Sequence, residues 1–261
     1  MQGLTIKDEA QIALMRKSGQ IVEEVLHLME RMAAPGVSTL ALDEAAHNFI
    51  RERGAEPSFL NYRGYPASIC TSINEEVVHG IPSARTLIDG DILSVDVGAC
   101  LDGWHSDAAR TFLIGNVSAE VERLVRVTKE CFYKGLQYAY EGFRVGDISY
   151  AIQEHAEANG YGVVRELVGH GIGRAMHEQP DVPNFGTKGH GLRLIAGMTI
   201  AIEPMINMGS AAVSVLSDGW TVIASDRKPS AHYENTIAIT KGAPLLLTKS
   251  SPDAVSRGGG S

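Results

Sequence analysis

Two aspartates in the segment 91–111 could bind a shared cation. Asp96 lies in an apolar, β-branched run typical of a buried strand, and Asp107 lies in the run that returns after a turn signal. A turn centred on Leu101-Asp102 would pair the aspartates directly, whereas one centred on Asp102-Gly103 would make them diagonal neighbours. Both turns put the carboxylates on one face, because side chains alternate along a strand. Buried carboxylates repel each other, so we expect a cation between them.

The second half of the chain repeats this pattern of donors. The strand that ends at Asp96 is echoed by one that ends at Glu203, and Asp107 is echoed by Glu234. If the two halves face each other, their donors converge at the interface, where sites are common. The sets that would then meet are His79, Asp96 and Asp107 from the first half and His170, Glu203 and Glu234 from the second.

Four carboxylates with an imidazole form an oxygen-rich set of ligands. Such a set suits Mn²⁺, Fe²⁺ or Co²⁺ better than a structural zinc. Four carboxylates exceed the needs of one ion, which favours two metals about 3.5–4 Å apart. A pair of metals lowers the pKa of bound water from about 15.7 toward about 7 and presents hydroxide to a carbonyl. The sequence contains no G-x-S-x-G elbow, Walker loop or H-E-x-x-H helix, so rival hydrolytic and nucleotide-binding sites lack support.

Hydrophobic periodicity predicts the elements that must position these donors. We expect Thr5 to be the N-cap of the first helix, and Ser38 or Thr39 to be that of the second. Three glycines around His170 exclude a stable helix and predict an irregular or strand-end loop. The expected helices cover about 5–32, 38–53, 118–140 and 147–159, and the expected strands include 198–205, 213–216, 221–224 and 235–240.

The predicted fold class is α+β. We expect one catalytic domain over 1–250, built from similar helix–helix–antiparallel sheet halves at about 36–115 and 144–240 around a central metal site. The glycine- and serine-containing end, 251–261, is expected to be a flexible tail or a cloning remnant.

Composition limits the partners and the compartment. The net charge of −8 argues against nucleic acid or an anionic membrane as the main partner. No apolar run approaches the roughly 20 residues of a transmembrane helix, and the N-terminus lacks a signal-peptide core. The three cysteines, Cys70, Cys100 and Cys131, are odd in number and widely spaced, which is typical of reduced thiols. A cytoplasmic protein is therefore expected.

A series of short motifs, spread over nearly the whole chain, resembles the type I methionine aminopeptidases. These motifs are Asn61-Tyr62-Arg63-Gly64-Tyr65-Pro66, Val78-His79-Gly80-Ile81-Pro82, Asp96-Val97-Gly98, Ser106-Asp107, Gly169-His170-Gly171-Ile172-Gly173, His177-Glu178, Ile202-Glu203-Pro204 and Glu234-Asn235-Thr236. The resemblance implies the pita-bread (creatinase/aminopeptidase) fold, whose two pseudo-symmetric halves agree with the internal repeat. It also implies removal of the initiator methionine from nascent polypeptides when the next residue is small.

The resemblance further implies two divalent metal ions per chain, Co²⁺, Mn²⁺ or Fe²⁺, with Zn²⁺ as a further candidate. The implied ligands are Asp96, Asp107, His170, Glu203 and Glu234, of which Asp107 and Glu234 would bridge both metals. A hydroxide held between the metals would attack the carbonyl, and Glu203 would move its proton to the leaving amine. His177 would contact the carbonyl oxygen and His79 the scissile nitrogen. The resemblance also implies a monovalent cation near Asn74 and Ser230.

The same resemblance implies a pocket for the methionine side chain. Its residues would be Phe59, Tyr62, Tyr65, Cys70, Met176 and Trp220. Aromatic walls with soft sulfur suit a thioether. Phe59 and Met176 depart from the Cys and Phe of many bacterial members, which changes the expected shape of the pocket but not the reaction.

Two alternatives remain open at the level of sequence. One is a proline-specific aminopeptidase of the same fold, although the segment 62–82 favours methionine. The other is a non-catalytic, peptide- or ribosome-binding relative, although all five expected ligand positions are intact. The expected partners are peptides with N-terminal methionine and nascent chains, at the ribosome, and the expected state is a monomer.

Overall fold

The structure, a computed structural model, describes residues 3–249 of the chain, so the expected tail at 251–261 lies outside the described residues. It contains four long helices, each of them predicted. They are α1 (Glu9–Met32), α2 (Thr39–Glu52), α3 (Ala119–Leu136) and α4 (Val145–Ala158). Within residues 3–249, no helix combines the length and the apolar character needed to cross a bilayer.

The strands are short except for one long hairpin. In chain order they are β1 (Glu56–Pro57), β2 (Ile69–Ile73), β3 (Glu76–Val78), β4 (Ile92–Leu101), β5 (Trp104–Leu113), β6 (Gly162–Val163), β7 (Gly169–Gly171), β8 (Glu178–Val182), β9 (Thr199–Ile202), β10 (Met205–Asn207), β11 (Val213–Val215), β12 (Val222–Ala224), β13 (Ser230–His232), β14 (Asn235–Ala238) and β15 (Leu245–Leu246). A 3₁₀ turn, Tyr62–Gly64, lies between β1 and β2.

The long hairpin β4–β5 forms the centre of the first half. Its turn is Asp102-Gly103, where both residues have positive φ, so Leu101 pairs with Trp104. Asp96 consequently faces Ala109, while Asp107 faces Gly98. The two aspartates are therefore diagonal neighbours on one face, which is the second of the two predicted arrangements. Helices α1 and α2 pack against this sheet through a buried aliphatic core.

The second half repeats this order of elements. Helices α3 and α4 pack together, and α3 also covers strands of this half. The strands run in the order β15-β14-β9-β7-β8, with antiparallel neighbours. A separate buried core, which includes Phe132, Ile152 and Ile200, fills the space between these helices and strands. The predicted α+β pita-bread architecture is confirmed.

The two halves meet where β5 runs beside residues 232–236. The backbone N–H of Asp107 donates to Thr236 Oγ1 at 2.9 Å, and this hydroxyl donates to the Asp107 carbonyl at 2.9 Å. The backbone N–H of Glu234 donates to the carbonyl of Ala109 at 3.0 Å. These bonds bring Asp107 of one half next to Glu234 of the other.

The start of the first helix differs from the prediction. Asp8, not Thr5, is the N-cap of α1, and its side chain accepts from the backbone N–H of Gln11 in a capping box. The Thr5 hydroxyl instead donates to the carboxylate of Glu178, far along the chain. A long-range partner thus replaces the predicted local one. Ser38, one of the two predicted candidates, is the N-cap of α2, and the structure adds Ser118 as the N-cap of α3.

Candidate active site

Every residue that the sequence nominated for the site lines one cavity of about 310 Å³ between the two halves. The nominated residues in its wall are Phe59, Tyr62, Tyr65, Cys70, His79, Asp96, Asp107, His170, Met176, His177, Glu203, Trp220 and Glu234. The structure adds Arg63, Val78, Glu166, Leu167, Val168 and Met205 to the lining. The donor end of this cavity and its aromatic end are therefore continuous.

The donor end holds a cluster with the spacing of a metal site. One ligand atom each from Asp107, His170 and Glu234 lies within 4.8 Å of the others. His170 Nε2 is 3.8 Å from Asp107 Oδ2 and 3.6 Å from Glu203 Oε1. Donor atoms that bind one ion at about 2.0–2.2 Å can be up to roughly 4.4 Å apart, so these separations allow a shared ion.

Strand β7 positions His170 with Nε2 free for a metal. The ring Nδ1–H donates to the carbonyl of Gly171 at 2.9 Å, which leaves the lone pair on Nε2 facing the carboxylates. A Cβ atom at Gly171 would lie 2.2 Å from the carbonyl oxygen of Gln179, so only glycine lets β7 approach the neighbouring strand here. The predicted loop is therefore wrong at residues 169–171, where glycines permit close strand packing.

The four carboxylates carry too much charge for a buried site without cations. Burial raises the pKa of Asp96 to about 7. Burial, and then repulsion within the cluster, raise the pKa of Asp107, Glu203 and Glu234 well above their ordinary values. The cluster would therefore hold protons unless cations compensated its charge.

Several carboxylate oxygens of this cluster lack a hydrogen-bond partner, which indicates whether metal ions fit there. Asp96 Oδ1, Asp107 Oδ1 and Glu234 Oε1 are buried and have no hydrogen-bond partner among the described residues. Native proteins rarely leave buried oxygens without a partner. Oxygen atoms from carboxylates with an imidazole nitrogen are the donors that divalent first-row metals accept. The donor set fits such ions.

His177 stands between the cluster and the aromatic end. Its ring lies 4.0 Å from that of His170 and stacks on Tyr62 at 5.2 Å. Its Nδ1 is 2.9 Å from the Tyr62 hydroxyl. Burial, with His170 and Arg63 nearby, lowers the pKa of His177 to about 3, so the ring is neutral. His79, held with φ at +62°, also lines the cavity, and burial lowers its pKa.

The aromatic end is an apolar pocket that contains two sulfur atoms. Phe59, Tyr65, Cys70 and Met176 are buried in one cluster, with Tyr62 and Trp220 packed against it. The Tyr65 hydroxyl donates to two backbone carbonyls, 2.9 and 3.1 Å away, so its polar end is satisfied. Burial raises the pKa of the Cys70 thiol, which keeps it uncharged. The pocket suits a flexible apolar side chain.

His232 also reaches the cluster, and the sequence reasoning missed it. Its Nε2 is 3.9 Å from a carboxylate oxygen of Glu203 and 3.9 Å from one of Glu234. The sequence did contain a signal for His232, because this residue precedes Glu234 by two positions in an extended segment. The period of two puts such residues on one face.

Proteins of known family resemble this chain over nearly its whole length. Residues 13–241 match the metallopeptidase family M24. The chain is 54% identical to "Methionine aminopeptidase" of Clostridium perfringens over 245 residues, 94% of this chain and 98% of that protein.

Solved structures of similar proteins superpose on nearly the whole chain. A methionine aminopeptidase from Rickettsia prowazekii superposes with a TM-score of 0.93 at 42% identity and covers 95% of this chain and 100% of that one. A prolidase from Pyrococcus furiosus superposes with a TM-score of 0.78 at 21% identity, over 94% of this chain and 66% of that one. At that identity the second likeness shows the fold alone.

Proposed function

Because the chain belongs to metallopeptidase family M24, and within it to the methionine aminopeptidases, we propose that its buried cluster holds two divalent metal ions. The enzyme removes methionine from the N-terminus of peptides, and it is a metal-dependent hydrolase. The proposed ligands are Asp96, Asp107, His170, Glu203 and Glu234, with Asp107 and Glu234 shared between the two ions. The observation that carries this proposal is the set of unpaired, buried carboxylate oxygens around His170.

Bound divalent ions at this cluster would supply Lewis acidity and a lowered pKa of water. We propose Co²⁺, Mn²⁺, Fe²⁺ or Zn²⁺, because each accepts mixed carboxylate and imidazole ligands and availability decides among them. The chain's own contribution is to hold the donors in place before the metals bind. The hydrogen bonds between β5 and residues 232–236 do this for Asp107 and Glu234.

The chain's own residues would move the proton and stabilise the developing charge. Glu203 lies at the edge of the cluster, and its raised pKa suits a group that accepts a proton from water and delivers it to the leaving nitrogen. His177 would donate from Nε2 to the substrate carbonyl oxygen, since the Tyr62 hydroxyl can donate to its Nδ1. His79, which lines the same cavity, would contact the scissile nitrogen.

The aromatic end would bind the methionine side chain, with Phe59, Tyr62, Tyr65, Cys70, Met176 and Trp220 as its walls. The cavity of about 310 Å³ lies at the lower end of the usual range for ligand sites, about 300–1,000 Å³. A confined cavity supports the proposal that the residue after methionine must be small.

The cellular setting is proposed from membership of the methionine aminopeptidases. The substrates would be nascent polypeptides, met in the cytoplasm at the ribosome, and the enzyme would act as a monomer. Both halves contribute ligands, which supports one catalytic domain over 1–250. A monovalent cation would bind near Asn74 and Ser230, whose backbones are joined by a bond of 2.8 Å.

The test is steady-state hydrolysis of Met-Ala-Ser by metal-depleted protein titrated with Mn²⁺, Fe²⁺ or Co²⁺. We expect metal-dependent release of methionine that falls about 10²–10⁴-fold in Glu203→Gln. The matched control is Glu44→Gln, an exposed glutamate on α2, which should keep full activity.

Ala-Pro-Ala serves as the second substrate. Cleavage of it in preference to Met-Ala-Ser would contradict the proposed pocket and favour the proline-specific alternative. Activity that is independent of metal, or unaffected by Glu203→Gln, would contradict the proposed cluster.

A further inference from the structure

His232 is buried beside the cluster with both ring nitrogens unsatisfied. Its side chain is 1% exposed, and neither Nδ1 nor Nε2 has a hydrogen-bond partner among residues 3–249. Its backbone is firmly held, because its N–H donates to Thr111 Oγ1 at 2.9 Å and this hydroxyl donates to its carbonyl at 2.9 Å. Buried polar atoms in native proteins nearly always have partners, so these nitrogens require one.

The position of His232 relative to the carboxylates matches that of His170. His232 Nε2 is 3.9 Å from Glu203 Oε2 and 3.9 Å from Glu234 Oε2. His170 Nε2 is 3.6 and 3.8 Å from its two carboxylate oxygens. Distances of this size are too long for hydrogen bonds. They lie within the roughly 4.4 Å that two donors on one ion can span.

Glu203 lies between the two imidazoles and faces each with a different oxygen. Its Oε1 is directed toward His170 and its Oε2 toward His232. We propose that His232 is a further metal ligand, whose Nε2 binds a divalent ion together with Glu203 and Glu234. This inference rests on the proposed function, since it requires that the cluster hold divalent ions.

A second imidazole ligand changes which divalent ions the site binds most tightly. One more nitrogen among carboxylate oxygens strengthens binding of Co²⁺ or Zn²⁺ more than binding of Mn²⁺, which favours oxygen ligands. The chain should therefore discriminate between Co²⁺ and Mn²⁺ through His232. A residue that only positioned Glu203 would affect both ions alike.

The test titrates the metal-depleted full chain with Co²⁺ and with Mn²⁺. Calorimetry gives the affinities, and the ligand-field absorption of Co²⁺ reports its donors. We expect His232→Gln to weaken Co²⁺ binding more than about 100-fold, beyond the roughly 10–100-fold typical of an outer-shell partner, and to alter the Co²⁺ spectrum. Mn²⁺ binding should weaken less. The control is His27→Gln, an exposed histidine on α1, which should match the wild type.

A second variant covers the case in which His232→Gln fails to fold, judged by circular dichroism of the metal-depleted protein. In His232→Ala, added imidazole should restore the wild-type Co²⁺ spectrum. An unchanged Co²⁺ affinity and spectrum in His232→Gln, with both lost in His170→Gln, would overturn the role of His232 and leave the proposed function intact. Co²⁺ binding that is indifferent to both His170→Gln and Glu203→Gln would overturn the proposed cluster itself.

Discussion

Lys7 and Glu178 form a buried ion pair, with Lys7 Nζ 2.6 Å from Glu178 Oε2 and both side chains at most 6% exposed. Lys7 precedes the first helix, and Glu178 directly follows His177, which lines the cavity. The other oxygen of Glu178 accepts from the backbone N–H of Ala175 at 3.1 Å. The N-terminal segment thus holds the loop that carries His177 and Met176.

Replacing Lys7 should weaken both the fold and the reaction. In Lys7→Met, the buried carboxylate of Glu178 loses its partner, which typically costs about 3–5 kcal/mol. Displacement of His177 should lower kcat/KM about 10- to 100-fold, because small errors in position are costly. Urea unfolding and hydrolysis of Met-Ala-Ser measure the two effects.

The matched control is an exposed pair on α3. Arg126 and Glu130 are 4.0 Å apart and largely solvent-exposed, so Arg126→Met should change the free energy of unfolding by less than about 1 kcal/mol. Equal effects of Lys7→Met and Arg126→Met would show that the buried pair has no special role.

The buried pair of Lys7 and Glu178 predicts that the free energy of unfolding depends on pH. Burial alone would raise the pKa of Glu178, but hydrogen bonds from Lys7, Thr5 and Ala175 outweigh it and lower the pKa below 4.5. A lowered folded-state pKa stabilises the fold above the unfolded-state value, and this contribution disappears as the pH falls through the folded-state pKa. The stability advantage of wild type over Glu178→Gln should therefore shrink in acid below about pH 4.5.

Unfolding measured from neutral to acidic pH tests this sign. Burial lowers the pKa of Lys7 from 10.5, and its hydrogen bond to Glu178 opposes that shift. An advantage that stays constant or grows in acid would contradict the assigned role of the pair.

Asp107→Asn should have opposite effects with and without metal. In the metal-depleted protein it replaces a carboxyl group whose pKa is raised by burial and by repulsion from Glu234 and Asp96, so folding at neutral pH no longer requires this group to take up a proton. Relief of about 1–2 kcal/mol would raise Tm by roughly 2–8 °C. With metal at about 100 times its Kd the wild type should gain about 2.7 kcal/mol, and the variant much less.

Thermal melts in chelator and in excess Mn²⁺ measure both effects of Asp107→Asn. Glu44→Gln, which alters an exposed carboxylate, should leave both melts unchanged. A destabilised metal-depleted Asp107→Asn would show that the carboxylate is held by interactions within the protein.

Tyr62→Phe should slow the reaction with little effect on stability. It removes the hydroxyl that lies 2.9 Å from His177 Nδ1. An ordinary hydrogen bond contributes about 0.5–1.5 kcal/mol, so kcat should fall about 2- to 12-fold. The control is Tyr150→Phe, which removes an exposed hydroxyl bonded to Glu154 at 3.0 Å. A rise in KM alone would indicate that Tyr62 binds methionine without orienting His177.

The sequence by itself determined the local elements and the chemical character of the site. Alternation along β4 and β5 placed Asp96 and Asp107 on one face, and periodicity with Ser38 as a cap predicted α2. These features depend on residues a few positions apart, whose preferences are readable from the chain itself. The internal repeat nominated the histidines and carboxylates of the donor end, whereas their individual roles, His177 and the residues of the methionine pocket came from the family resemblance.

Only the tertiary structure decided which distant groups meet. The register of β4 and β5 makes Asp96 and Asp107 diagonal neighbours. The N-cap of α1 is Asp8 and not Thr5, because the Thr5 hydroxyl bonds to Glu178. The tertiary structure also placed both nitrogens of His232 in a buried space beside Glu203. Such contacts join segments far apart in the chain, so packing of the two halves, and not local preference, selects the partner of each side chain.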